Sequence, residues 1–304
     1  MLNVYIKSFA RPFYLDRCIR SVKFNINKYD KIVILDDGSQ SVHLERIRQL
    51  HPDVEIRSSG ADDGKFELLR QGRFDEIAHR YPSAPAFWVR EVAADDKEYC
   101  LVMEDDAWIV RRLDLPALVH ELKHQEALIC KLWWGSQAHK IIARSSCPTG
   151  PVIEYYGADC DDFENARSIW IVAFAIFRRD YWLRCVSRAK RLGDERSQVI
   201  AACEFAQSSS SARFAKSQKR AVYQGWIIPA RSTSEYYDKG LIQHAYMDVL
   251  NDAWFAGEID VTEGYPFDFP EQTIVRLMGR RLPAEAIDAW REWQRREVVH
   301  YYDC

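Results

Sequence analysis

The eight cysteines of this 304-residue chain stand apart, and none pairs with another in a C-x-x-C unit. A zinc site needs clustered ligands and a small disulfide scaffold needs a denser set, which argues against both. Free thiols in a reducing cytoplasm are the expectation. No long apolar run is present either. SIWIVAFAIF, residues 168–177, is far short of the roughly 20 residues a membrane span needs. The opening MLNVYIKSFARP lacks the basic region and apolar core of a secretion signal, so a soluble protein is expected. Charge of one sign is missing as well: 42 basic against 45 acidic residues leave a net −3, which does not suit a general nucleic-acid binder or a polybasic membrane anchor. There is no internal repeat, and residues 6–12, IKSFARP, hold no glycine-rich loop of the kind that builds activated sugars.

What is present is ordinary globular composition, 47% hydrophobic and 29% charged, with 10 Trp and 15 Tyr. The length allows one large domain or two lobes around a sizeable core. LNVYIKSF reads as a strand that stops at Arg11-Pro12. Leu15, Cys18, Ile19 and Val22 then recur at helical spacing. KIVILDDGSQ reads as a buried strand, Ile32–Leu35, ending in a turn; SVHLERIRQLH is a helix and VEIRSSG a strand. This alternation predicts an α/β fold with a mainly parallel sheet between helices. Further on, residues 62–80 are partly helical, YCLVM is a strand, LPALVHELKHQEA a helix and ALICKLWWGS a strand. Residues 135–165 read as irregular, SIWIVAFAIF as a buried strand, QSSSSARFAKSQKR as a mobile polar stretch, and AVYQGWIIPA as the last strand. Helical pieces such as PAEAIDAWREWQRREVV make a C-terminal extension over 246–304.

Two acidic groups end hydrophobic strands: Asp36-Asp37 in ILDDGS, and Glu104-Asp105-Asp106 in YCLVMEDDAWIV. Ligands of open parallel sheets bind beyond the carboxyl ends of the strands. A turn or helix cap needs only one acid, so three in a row ask for a cation, and a hard divalent ion takes oxygen donors.

Those residues, VYIKSFARPFYLDRCIRSV…YDKIVILDDGS followed about 65 residues later by LVMEDDAWI, resemble nucleotide-sugar glycosyltransferases of the GT-A fold. EDD is similar to one form of their D-x-D metal motif. The resemblance covers residues 1–110 well and 168–245 more loosely. It implies a GT-A-like, Rossmann-type sheet with a nucleotide-sugar half over 1–110 and an acceptor half over 111–245. It implies Mn²⁺ or Mg²⁺ and a UDP-sugar donor, with Asp36 or Asp37 on the base and ribose. Asp106 would be the direct metal ligand, with Asp105 or Glu104 on the ribose or metal waters. Lys65 or Arg73 would lie near the nucleotide, Glu204 would be the catalytic base with Asp194 and Glu195 as competitors, and His244 would complete the metal site. The family usually carries a paired acid where this chain has Glu204-Phe205. Trp133-Trp134 would stack on a sugar or close the edge of the core. The expected partner is a glycan or lipid-linked glycan acceptor, with peripheral association at the inner face of a membrane as part of the same expectation. The competing readings are a catalytically inactive nucleotide-binding module and a transferase acting on a modified nucleic-acid base.

Overall fold

The computed structural model describes residues 1–81, 83–134, 145–148, 153–191, 193–209, 212–227 and 243–295, with the backbone alone at Phe74, 145–148, 243 and 244. Its strands are β1 (Asn3–Ser8), β2 (Ile32–Asp36), β3 (Glu55–Ser58), β4 (Tyr99–Glu104), β5 (Ala107–Ile109), β6 (Ala127–Lys131), β7 (Ser145–Pro148), β8 (Ile153–Tyr156), β9 (Ala175–Arg178), β10 (Arg213–Ser217) and β11 (Val222–Gln224). Nine of them form one sheet in the order β3-β2-β1-β4-β9-β6-β10-β8-β7, and β5 pairs with β11 in a small second sheet. β3, β2, β1 and β4 are mutually parallel, as the strand–helix alternation predicts. β9 runs antiparallel between β4 and β6, and β8 antiparallel to β10, so the far half is mixed.

Helix α1 (Pro12–Asn25) starts on a proline, whose missing N–H costs nothing at the first helical position. Leu15, Cys18, Ile19 and Val22 bury its apolar face, as their spacing requires. Asp16 and Arg17 are buried too, because the C-terminal segment covers the other side of the helix. Trp254 Nε1 and His51 Nε2 reach Asp16 at 3.0 and 2.8 Å, and Arg17 Nη1 donates to the Glu263 carbonyl at 2.9 Å. The Arg17 guanidinium also lies 4.2 Å from the Trp108 ring centre. Helix 243–255 and the segment 261–267 after it thus pack on the sheet's own first helix. Among the described residues, no helix is long and apolar enough to cross a membrane.

Three local readings differ. RFAKS, expected to be mobile, is β10, a strand inside the sheet buried from Phe214 onward. Its Lys216 is accommodated there because Glu154 of β8 pairs with it at 2.7 Å. SIWIVAFAIF is a strand only from Ala175; Phe174 takes a left-handed φ of 62° and the chain before it bends. In the last predicted strand, Val222–Gln224 is the part that pairs among the described residues.

Candidate active site at the switch point of the sheet

From β1 the chain winds outward to β2 and β3 and then crosses back to β4 on the other side of β1. The crevice beyond the carboxyl ends of β1 and β4 is therefore the switch point where open α/β sheets bind ligands. β1 leaves the sheet through Phe9, Ala10 and Arg11. Ala10 has φ 56°, a left-handed conformation that costs an L-residue about 1–2 kcal/mol. Two hydrogen bonds hold it there: its N–H donates to Ser39 Oγ at 2.8 Å, and its carbonyl accepts from Asn251 Nδ2 at 2.9 Å. The twist carries Arg11 over the turn between β4 and β5.

That turn is Asp105-Asp106, and both carboxylates are fully buried. The Arg11 guanidinium straddles them, Nη1 on Asp106 Oδ2 at 2.8 Å and Nη2 on Asp105 Oδ1. Asp105 Oδ2 accepts from Ser8 Oγ at 3.1 Å and from the Phe9 N–H at 3.0 Å. Glu104 pairs with Lys7 Nζ at 2.8 Å, and that ammonium sits 4.6 Å from the Trp88 ring centre. Asp106 Oδ1 is buried without a hydrogen-bond partner. Burial, opposed by Arg11 and reinforced by the neighbouring acids, pushes the Asp106 carboxyl up to about 7; the Asp105 carboxyl is raised for the same leading reason. Burial pulls Arg11 down, but the three acids outweigh it and keep the guanidinium charged.

At the neighbouring end of β2, the two aspartates part ways. Asp36 turns inward and accepts from the Gly38 and Ser39 N–H groups at 3.0 and 3.1 Å, so its carboxylate closes the turn. Gly38, at φ 107°, is needed there: a Cβ would come within 2.9 Å of Ala61 Cβ and 3.1 Å of Lys65 Cδ. Asp37 faces Lys65, whose Nζ is 2.6 Å from Asp37 Oδ2 and 2.8 Å from the Asp37 carbonyl. Asp37 Oδ1 is buried and unpartnered, and burial raises this carboxyl although Lys65 opposes the shift. Lys65, from helix 63–70, is buried and lies 5.2 Å from the Phe9 ring centre, which joins it to the β1 turn.

Arg73, Glu204 and Asp194 do not gather here. Arg73 is exposed and pairs with Glu76 and Gln71 beside it in sequence. Glu204 lies in the last turn of helix 195–207, exposed, with Arg188 at 2.7 Å and Arg184 at 3.9 Å. The chain then enters β10 at Arg213, opposite Ala127, at the edge where β4 and β6 begin. Glu204 is therefore carried away from the acid turn, and the expectation of a base there is withdrawn. Asp194 caps the head of the same helix, accepting from the Ser197 N–H at 3.3 Å. Glu195 pairs with Arg167 at 3.3 Å, and the Arg167 carbonyl accepts from Lys131 Nζ at 2.9 Å, at the rim end of β6. His244 belongs to helix 243–255, but its side chain lies outside the described residues. Trp134 is buried with Lys216 Nζ 4.7 Å from its ring centre, and Trp133 meets Phe174 edge-on; both close the core edge.

Arg11, Lys7 and Lys131 were not singled out from the sequence. The R-P step marks a helix start, and nothing in its spacing tells that the arginine turns back. A lysine inside a hydrophobic run, as in VYIKS and LICKL, is the signal that was available.

The acid turn fits a divalent metal poorly. Three carboxylates already face two cations, and Asp106 Oδ1 alone stays unclaimed in the Asp105–Asp106 pair, enclosed by protein. A hard divalent ion asks for about six oxygen ligands. One bound about 4 Å from the guanidinium would meet about 8 kcal/mol of repulsion at an effective dielectric of about 20.

No family model and no curated protein matches this sequence. Among solved structures, Staphylococcus aureus TarS 1–349 in complex with UDP-GlcNAc is similar over 95% of this chain and 78% of that one, at 12% identity and a TM-score of 0.49. Glucosyl-3-phosphoglycerate synthase from Mycobacterium tuberculosis in complex with Mn²⁺, UDP and glucosyl-3-phosphoglycerate is similar over 86% and 81%, at 13% identity and a TM-score of 0.46. Neither likeness assigns a role to a residue of this chain.

Proposed function

We propose that the chain is a glycosyltransferase that takes a sugar from a nucleotide-sugar donor, a UDP-sugar first among the candidates, and passes it to a hydroxyl of a glycan or lipid-linked glycan. The observation that supports this reading is the meeting of Asp37–Lys65 and Arg11–Asp105–Asp106 at the switch point of the sheet. Asp37 Oδ1, buried with no partner of its own, accepts from a base N–H or ribose hydroxyl once a nucleoside seats beside it. Lys65 holds the other oxygen of the same carboxylate and fixes its orientation. Transfer needs a base to take the acceptor proton and positive charge to meet the departing diphosphate. With Glu204 withdrawn, Glu195 is the base of this reading, tied through Arg167 to Lys131 at the rim end of β6. The loss of Glu204 also favours a second reading, in which the chain binds a nucleotide without turning it over.

A thermal-shift panel of nucleoside diphosphates and their sugars separates the possibilities, since a ligand of the native state raises its melting temperature. One nucleotide series is expected to shift wild type and not Asp37→Ala. Release of nucleoside diphosphate from the matching sugar donor, reduced in Glu195→Gln through kcat, distinguishes the transferase from the binding module. No shift and no release with any donor would overturn both readings.

A further inference from the structure

We infer that Arg11 is the resident cation of the acid turn and that the turn takes up no divalent ion while the guanidinium is in place. This departs from the metal-dependent scheme that the E-D-D resemblance implies. The guanidinium is forked, one nitrogen to each aspartate, which is the geometry that suits two adjacent carboxylates. It is also not a mobile surface group. Its side chain is 12% exposed, it follows the left-handed Ala10 that Ser39 and Asn251 pin from two sides, and it precedes a proline. Both oxygens of Asp105 are committed and Glu104 is held by Lys7. The three acids and two bases sum to −1, so Arg11 and Lys7 already meet most of the negative charge at the place where the three acids first seemed to demand a metal.

The inference deepens the reading of the same rim, and its main test stands without that reading. The full chain is titrated with Mn²⁺ alone while the six-line electron paramagnetic resonance signal of the free ion is followed. Wild type is expected to leave Mn²⁺ free. Arg11→Met keeps the aliphatic stem, drops the charge and leaves three acids facing one lysine. It is expected to take up one Mn²⁺ at least about tenfold more tightly than wild type, since ligand charge sets affinity, and Arg11→Met/Asp106→Asn is expected to lose that uptake. Wild-type binding of one Mn²⁺ that Asp106→Asn abolishes would overturn the inference, as would a folded Arg11→Met that gains none. Should Arg11→Met not fold, the wild-type and Asp106→Asn titrations still decide. A second arm, resting on the nucleotide reading, compares nucleotide-induced thermal shifts in chelator and in Mn²⁺. Equal shifts support the inference. A shift seen only with Mn²⁺ overturns it and upholds the reading; no shift in either condition sinks the reading and leaves the Mn²⁺ titration to decide.

Discussion

Lys131 is the most exacting test of how this sheet handles charge. It is 1% exposed in β6 and in register with a second buried lysine, Lys216 of β10. Glu154 neutralises Lys216, whereas among the described residues Lys131 has only the Arg167 carbonyl, at 2.9 Å. Burial, and then the Arg167 charge, lower its ammonium to about 7. The unfolded chain holds that proton up to about pH 10.4. Between pH 7 and 10.4 the unfolded state therefore binds more protons than the fold, and stability rises with pH across that window. At about 1.4 kcal/mol per pH unit, the penalty is on the order of 4 kcal/mol at pH 7 and about 1–2 kcal/mol at pH 9.5. Lys131→Met keeps the length, removes the penalty and strands one carbonyl, at a cost of about 1–2 kcal/mol. The expected result is a net gain of about 2–3 kcal/mol at pH 7, shrinking to about zero at pH 9.5. Urea unfolding of both proteins at the two pH values measures it, and comparing them cancels every other titrating group. A variant less stable than wild type by the same amount at both pH values would refute the reasoning, because it would mean that the ammonium has a favourable anionic partner.

Asp106 carries the opposite sign. With its folded carboxyl raised to about 7, the fold holds a proton that the unfolded chain releases above about pH 3.9, so its contribution falls as pH rises from 4 to 7. Asp106→Asn, which still offers Arg11 an acceptor, is expected to show a flatter stability profile between pH 5 and 8; parallel profiles would count against this. Gly225→Ala places a Cβ 2.8 Å from the Tyr14 ring and 2.9 Å from Trp108, and overpacking of this kind costs about 1–3 kcal/mol, to be read from denaturant midpoints. Asp37→Ala leaves Lys65 buried without its ion partner, with an expected loss of about 3 kcal/mol, and also removes the nucleotide-induced thermal shift. A full shift retained in Asp37→Ala would move the nucleotide elsewhere.

The parallel half of the sheet was legible because its signals are local. The apolar run before Asp36, the spacing of Leu15, Cys18, Ile19 and Val22, and the proline that opens α1 each depend on neighbours within a turn or a strand. The same holds for Gly38, whose place after Asp36-Asp37 announces a left-handed turn. The charged residues were different. RFAKS reads as polar, yet it enters the sheet because Glu154 lies across from Lys216. Asp16 and Arg17 lie off the apolar spacing of α1, yet Trp254 and the Glu263 carbonyl cover them.

By itself, then, the sequence determined the order of strands and helices through Tyr99–Glu104 and the placing of two acidic groups at strand ends. Only the tertiary structure decided what those acids face. Periodicity reports which side of an element is buried, because burial of apolar surface repeats with the geometry of the backbone. The state of a buried charge depends on partners brought together across the chain. Here they are an arginine 94 residues away in sequence, aimed by one left-handed alanine, and a lysine from the adjacent strand.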